Sequence, residues 1–137
     1  EKIMNLHRDE IQGIIFCGDG IHTLHKTLFR IPTYFVKGNT DKINAPNEMS
    51  FSIEGINIYL THGHLFGVKS GLSSLVNHTR DNSYQVVLFG HTHRPYQNEI
   101  NGINYFNPGA LMNGQYGFLY IEKNRFALVF EKAKEII

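Results

Sequence analysis

Short apolar runs alternate with turn-forming glycine, asparagine and aspartate along this chain of 137 residues. Apolar runs of about four to eight residues between such boundaries are typical of β-strands. The pattern predicts nine short strands, at residues 14–17, 33–37, 49–53, 56–60, 86–89, 96–100, 103–106, 116–122 and 126–131.

Three pairs of neighbouring strands are separated by two-residue turns at 54–55, 101–102 and 123–124, which predicts three β-hairpins. The spacing of Ile21, Leu24 and Leu28 predicts a helix after residue 20, and further helices are expected at the start of the chain and within 68–81. Because strands outnumber helices and are mixed with hairpins, we predict the fold class α/β: a mixed two-sheet β-sandwich flanked by helices.

Composition narrows the class of protein. The chain is 42% hydrophobic and 18% charged, with 13 Lys+Arg against 12 Asp+Glu, which suits a single domain over residues 1–137 and excludes a disordered tail. The near-zero net charge argues against stable nucleic-acid binding. No apolar run approaches the roughly 18 residues of a membrane span, and no secretory signal is visible. A single cysteine, Cys17, favours a cytoplasmic protein.

Polar residues of the types that bind metals follow four of the predicted strands directly. In α/β sheets ligands gather beyond the carboxyl ends of strands, where loops converge, so we expect these side chains to form one site. The chain also holds eight histidines, a rich supply of metal ligands and proton carriers. The candidate site residues are Asp19, Asn39, His62, His64, His91 and His93.

Each motif also has a purely structural interpretation. The segment 18–20 is, alone, a turn with a helix-capping aspartate, and 38–41 is, alone, a polar turn. The histidine pairs at 62 and 64 and at 91 and 93 are harder to explain in this way, because two such pairs at strand ends are improbable by chance. The remaining histidines are interpreted as structural residues on or beside helices: His7, His22, His25 and His78.

The ordered motifs Gly18–Asp19, Gly38–Asn39, Thr-His-Gly-His from residue 61 and Gly-His-Thr-His from residue 90 resemble those of the calcineurin-like metallophosphoesterases. The resemblance is strongest to the small bacterial and archaeal phosphodiesterase branch, which also has an Asn-Pro-Gly turn like that at 107–109. It covers residues 13 to 121 and implies a β-sandwich flanked by helices, in agreement with the periodicity.

The resemblance implies a metal-dependent phosphodiesterase that acts on a small phosphodiester substrate by direct attack of a metal-bridging hydroxide. It implies two divalent metal ions, with Mn²⁺ preferred and Fe, Zn²⁺ or Ni²⁺ as alternatives. Asp19 matches the bridging aspartate, Asn39, His62 and His91 match the other ligands of the second metal, and His93 matches a ligand of the first. Asn39 is also a catalytic candidate, as is His64, which is a candidate proton donor.

This sequence departs from the family pattern at two points. The family opens with a strand ending in Asp-x-His, which is not found here, so either the N-terminal strand is missing from this sequence or the first metal site is damaged. We favour the first alternative and expect the domain to be incomplete at its N-terminus. Thr40 stands where many superfamily enzymes have a histidine, so we expect aryl phosphodiesters to be preferred over alkyl ones.

Two functions from different classes remain open. The first is the phosphodiesterase; the second is a non-catalytic protein-interaction scaffold on the same fold, as in the retromer subunit of this superfamily. The set of histidines and polar residues favours the enzyme, whereas the absent Asp-x-His favours the scaffold. The sequence leaves a homo-oligomer possible.

Overall fold

The computed structural model describes residues 12–18, 32–42 and 44–133. The expected helix after residue 20 and the helix at the start of the chain lie outside the described residues. So do Asp19 and three of the histidines interpreted as structural, His7, His22 and His25.

All nine predicted strands are present, and none of their ends differs from the prediction by more than two residues. They are β1 (Ile14–Phe16), β2 (Thr33–Phe35), β3 (Glu48–Ile53), β4 (Ile56–Thr61), β5 (Val86–Leu88), β6 (Tyr96–Ile100), β7 (Ile103–Asn107), β8 (Gln115–Glu122) and β9 (Arg125–Lys132). The helix expected within 68–81 is α1 (Ser73–Thr79), which follows the short 3₁₀ turns His64–Phe66 and Val68–Ser70. A third 3₁₀ turn spans Leu111–Asn113.

The strands form a central mixed sheet and two strand pairs. The central sheet has the order β3-β4-β5-β7-β6, with β5 parallel to both of its neighbours and an antiparallel hairpin at each edge. Strands β1 and β2 pair in parallel, and β8 and β9 pair as an antiparallel hairpin. The three predicted hairpins are therefore confirmed. Each turns through positive backbone φ angles, as two-residue hairpin loops require.

One face of the central sheet packs against the two strand pairs. Alternate residues of β4, among them Ile58 and Leu60, join Val86 and Phe106 in a buried apolar cluster. Half-buried side chains from the other layer pack against this cluster, including Ile15 and Tyr34 from β1 and β2 and Leu119, Ile121, Phe126 and Leu128 from β8 and β9. This layer closes the sandwich, because the period-two alternation turns one set of side chains inward.

The opposite face of the central sheet carries the helix. Tyr59, Val87 and Tyr105, which alternate with the residues of the first cluster, pack with Leu75 of α1 and with Phe89. The result is the predicted mixed α/β architecture, with a sheet buried on both faces. No helix of the described residues is long and apolar enough to cross a membrane.

Candidate metal centre

Four strand-end loops meet at one edge of the sandwich. A Cβ atom placed on Gly18, after β1, would lie 2.8 Å from Cδ2 of His62 and 2.9 Å from the amide nitrogen of Gly38. Beyond β5, the amide of Gly90 donates to the carbonyl of His62 at 3.0 Å, and a Cβ on Gly90 would lie 3.3 Å from Cβ of Cys17. The predicted convergence of the loops after β1, β2, β4 and β5 is present in the structure.

Three imidazoles cluster at this edge. The ring of His62 lies 5.2 Å from that of His64 and 4.9 Å from that of His91, measured between centroids, and His64 and His91 are 6.1 Å apart. His62 is 2% exposed, whereas His64 and His91 are half-buried. The Nδ1 atoms of His62 and His64 are 3.0 Å apart, so one of these nitrogens carries a proton and the other accepts it. We call this group the imidazole cluster.

The loop after β5 has an unusual backbone. His91 and His93 have φ angles of 69° and 61°, in the left-handed region that few residues other than glycine adopt. Between them, the amide of Thr92 donates to the carbonyl of Gly90 at 2.8 Å. Backbone conformations of this kind persist only where surrounding contacts hold them, and they concentrate at functional sites.

Asn107, at the end of β7, supplies those contacts. Its side chain is fully buried, and its Nδ2 donates to the carbonyl of Gly90 at 3.1 Å and to Oγ1 of Thr92 at 3.0 Å. Its Oδ1 accepts from the amide of Gly109 at 2.9 Å. Asn107 is thus a positioning residue that fixes the histidine loop to the neighbouring strand. In the sequence it stood out only as part of an Asn-Pro-Gly turn, since its long-range partners are not encoded locally.

The turn after β2 holds Asn39 and Thr40, both exposed. The Oδ2 of Asp41 accepts from the amide of Gly38 at 2.9 Å and so caps this turn. Gly38 is buried and meets Gly18, which joins the turn to the other strand-end loops. Asp41 therefore acts as a turn residue, as the structural interpretation of residues 38–41 proposed. Asn39 lies at the predicted edge of the sheet.

Two further histidines have distinct positions. His93 is exposed and, within the described part of the chain, makes no ring contact with the imidazole cluster. His78 lies on α1, where its ring packs on Tyr59 and Phe66 and its Nε2 is 3.9 Å from Glu48. His78 is therefore a structural residue, as the sequence indicated.

Burial suppresses ionisation of two groups near this edge. It raises the pKa of the Cys17 thiol to about 12, so this thiol is protonated at neutral pH and is not a nucleophile. The pKa of Tyr59 lies well above its ordinary value, first because the phenol is buried and second because its hydroxyl donates to the Glu48 carboxylate at 2.8 Å. Neither group supplies a charge to the site at neutral pH.

The donor types at this edge suit a divalent transition metal. Imidazole nitrogens and a carboxamide oxygen are ligands that Mn²⁺, Fe and Zn²⁺ accept. Within residues 12–18, 32–42 and 44–133, however, no three His, Cys, Asp or Glu side chains form a group that could hold a metal ion. The carboxylate expected to complete the set, Asp19, lies outside those ranges.

Comparison with known proteins identifies the class to which this fold and site belong. Residues 1–124 match the calcineurin-like phosphoesterase superfamily domain, and the chain belongs to this superfamily.

Two curated relatives belong to its small bacterial branch. The chain is 32% identical over 112 residues to the protein named "Probable metallophosphoesterase" of Mycoplasma pneumoniae. This match covers 80% of this chain and 68% of that protein. It is 35% identical over 86 residues to Phosphodiesterase YfcE of Escherichia coli strain K12. This match covers 56% of this chain and 42% of YfcE. The chain thus spans about two thirds of the first relative and less than half of the second.

A solved structure shares the fold. Vps29 from Entamoeba histolytica, crystallised in complex with Zn²⁺, superposes with a TM-score of 0.72 at 20% identity, covering 96% of this chain and 87% of that one. At this identity the likeness shows the fold, which is the mixed α/β architecture predicted from the sequence.

Proposed function

We propose that this chain is a metal-dependent phosphodiesterase. The observation that carries the proposal is the imidazole cluster, in which side chains from two separate strand ends meet beside Gly18 and Gly38. Membership of the phosphoesterase superfamily supports hydrolysis of a phosphoester bond, and the name of YfcE supports a diester substrate.

Of the two metal positions, the second has more of its proposed ligands in this chain. We assign Asp19, Asn39, His62 and His91 to it, and His93 to the first position. Divalent ions held there, with Mn²⁺ preferred, would supply the nucleophile and neutralise charge that builds on the phosphoryl oxygens.

The chain's own residues have three tasks in this proposal. Burial of His62 against Gly18 and Gly90 fixes one ligand and excludes water from behind it. Asn39 is exposed in the turn after β2, and we assign its carboxamide oxygen to the metal. His64 is half-buried beside His62 and holds or accepts a proton at Nδ1, which suits it to protonate the leaving oxygen.

The test uses His91→Ala in the complete protein. We expect Mn²⁺-dependent hydrolysis of bis(p-nitrophenyl) phosphate to fall by at least about a hundredfold, because loss of a ligand exceeds the effect of losing its outer partners. Metal content after dialysis should fall in parallel.

The matched control is His78→Ala, which removes an imidazole from α1 on the far side of β4. It should leave both hydrolysis and metal content unchanged within about twofold at a temperature where the variant is folded, because His78 lies on α1 and packs on Tyr59 and Phe66. Equal losses in the two variants would show that the ligand assignment is wrong.

A scaffold without catalysis is the second candidate function. The chain shares its fold with Vps29, a protein whose name does not describe a phosphoesterase. A complete protein that retains metal yet hydrolyses neither aryl nor alkyl phosphodiesters would decide for the scaffold.

A further inference from the structure

Strand β9 has one unpaired backbone edge. Within the described residues it pairs with β8 alone, so the hydrogen-bonding groups on its other side have no strand partner. The strand is eight residues long, contains neither proline nor glycine, and keeps a continuous register with β8 from Arg125 to Lys132. Proteins usually block such an edge with proline, a bulge or an inward-pointing charge, because a free edge pairs readily with another strand.

The hairpin register determines which backbone groups of β9 are open. In a two-residue hairpin the residues that flank the turn exchange hydrogen bonds, here Glu122 and Arg125, and bonded pairs then alternate with unbonded ones. The amides and carbonyls of the odd-numbered residues of β9 therefore face β8. In agreement, a Cβ placed on Gly117 of β8 would lie 3.1 Å from the carbonyl oxygen of Val129. The residues whose backbone groups face the open edge at its centre are Phe126, Leu128 and Phe130.

The side chains of β9 form an apolar inner row and a mixed outer row. Phe126 and Leu128 pack on the core, whereas Phe130 stacks on Phe106 at 4.7 Å between ring centroids and is still 40% exposed. The outer row is exposed and has one charge at each end: Arg125, Ala127, Val129 and Glu131. Within the described part of the chain neither of these charged side chains forms an ion pair.

The sequence of β9 is complementary to itself in one antiparallel register. When two copies pair along the open edge, even-numbered residues face even-numbered residues, because these have the free backbone groups. Centring the pair on Leu128 sets Phe126 opposite Phe130, twice by symmetry. The same register sets Arg125 opposite Glu131, and moving the centre by one residue in either direction loses both pairings. Aromatic pairs and opposite charges directly across neighbouring strands stabilise a sheet.

The two edge strands of the central sheet differ from β9 in their exposed residues. Those residues are all polar: Glu48, Ser50 and Ser52 in β3, and Gln97, Asn98 and Glu99 in β6. In β9 the exposed residues include Val129 at 38% and Phe130 at 40%. Burial of apolar area therefore favours association through β9 rather than through β3 or β6.

We propose that two copies of this chain pair through β9, antiparallel and centred on Leu128, so that the β8-β9 hairpins of both copies form one four-stranded sheet across a two-fold axis. The partner's Phe126 covers the exposed part of Phe130, and the partner's Glu131 pairs with Arg125. Because each copy contributes a single strand, the interface is small, and we expect a dissociation constant on the order of micromolar or weaker.

Sedimentation of the complete protein measures the association, over concentrations from about 1 to about 500 µM, which bracket an affinity of this order. We expect a reversible equilibrium between monomer and dimer. Arg125→Glu and Glu131→Arg each place like charges opposite one another at both ends of the interface, so each should weaken association by at least about tenfold.

Mixing the two charge reversals tests the register. An equimolar mixture of the Arg125→Glu and Glu131→Arg variants can form a mixed dimer in which both charge pairs are again opposite in sign. It should associate within about threefold of the unaltered protein. The matched control is Glu99→Arg, which reverses the charge of an exposed residue on β6 and should leave association unchanged. Far-UV circular dichroism establishes that each variant is folded.

Hydrogen exchange tests the edge itself. The amides of Phe126, Leu128 and Phe130 should exchange rapidly at about 1 µM and become protected as the concentration rises. Three results would overturn the inference. The first is a monomer at every concentration. The second is association that the charge reversals do not weaken or that their mixture does not restore. The third is full protection of these amides already at about 1 µM, which would show that another segment of the complete protein covers β9.

Discussion

Gly18 lies where β1, the turn after β2 and the first histidine motif meet, and its replacement by alanine perturbs all three. Its φ angle is +105°, a conformation that residues with a Cβ rarely adopt. The new Cβ would lie 2.8 Å from Cδ2 of His62 and 2.9 Å from the backbone nitrogen of Gly38. Gly38 is buried, and its nitrogen is fixed by its hydrogen bond to Asp41, so the neighbours have little room to yield.

The cost has two parts. A non-glycine residue at this φ costs on the order of 1–3 kcal/mol, and forcing an extra carbon into a packed site costs typically about 1–3 kcal/mol more. Gly102 offers a matched control, because its φ of +78° is also positive but no atom lies within 4 Å of a Cβ placed there. Gly102→Ala therefore carries the first cost alone.

The assay is urea-induced unfolding of both variants, together with hydrolysis of bis(p-nitrophenyl) phosphate under folding conditions. Gly18→Ala should be less stable than Gly102→Ala by about 1–3 kcal/mol, the share due to the contacts with His62 and Gly38. Because the clash displaces His62, hydrolysis should fall in Gly18→Ala only. Equal stability and equal hydrolysis in the two variants would refute the packing of these loops described above.

Two further predictions concern buried polar groups. Asn107→Ala should lower the free energy of unfolding by about 3 kcal/mol and reduce hydrolysis at a temperature where the variant is folded, since the carbonyl of Gly90 loses one of its two donors and the amide of Gly109 loses its acceptor. The exposed Asn98→Ala is the control, and unchanged hydrolysis in Asn107→Ala would argue against a positioning role. Folding raises the pKa of Tyr59 above its ordinary value of 10.0, so its contribution to stability is complete below about pH 10 and declines as the pH rises further, by up to about 1.4 kcal/mol per pH unit. Tyr59→Phe removes this ionisation, so the unfolding free energy of the variant should decline less steeply as the pH rises. Identical slopes of unfolding free energy against pH in the two proteins, between about pH 9 and pH 11, would contradict the prediction.

The sequence was sufficient to predict the strands, the hairpins and the edge of the sheet at which the strand-end loops converge. Short apolar runs and the turns at 54–55, 101–102 and 123–124 predicted the hairpins, because these features depend on residues close together in the chain. The placement of His62 and His91 after apolar strands predicted their meeting, since neighbouring parallel strands end at one edge.

The tertiary structure decided what depends on distant parts of the chain. The role of Asn107 follows from its contacts with Gly90 and Thr92, residues 17 and 15 positions away, which no local pattern contains. The close approach of Gly18 to His62 likewise arises only when separate strands pack together. Local propensity specifies strands and turns, whereas the packing of loops from different strands sets which side chains touch. The sequence therefore predicted candidate site residues, but not the contacts that support them.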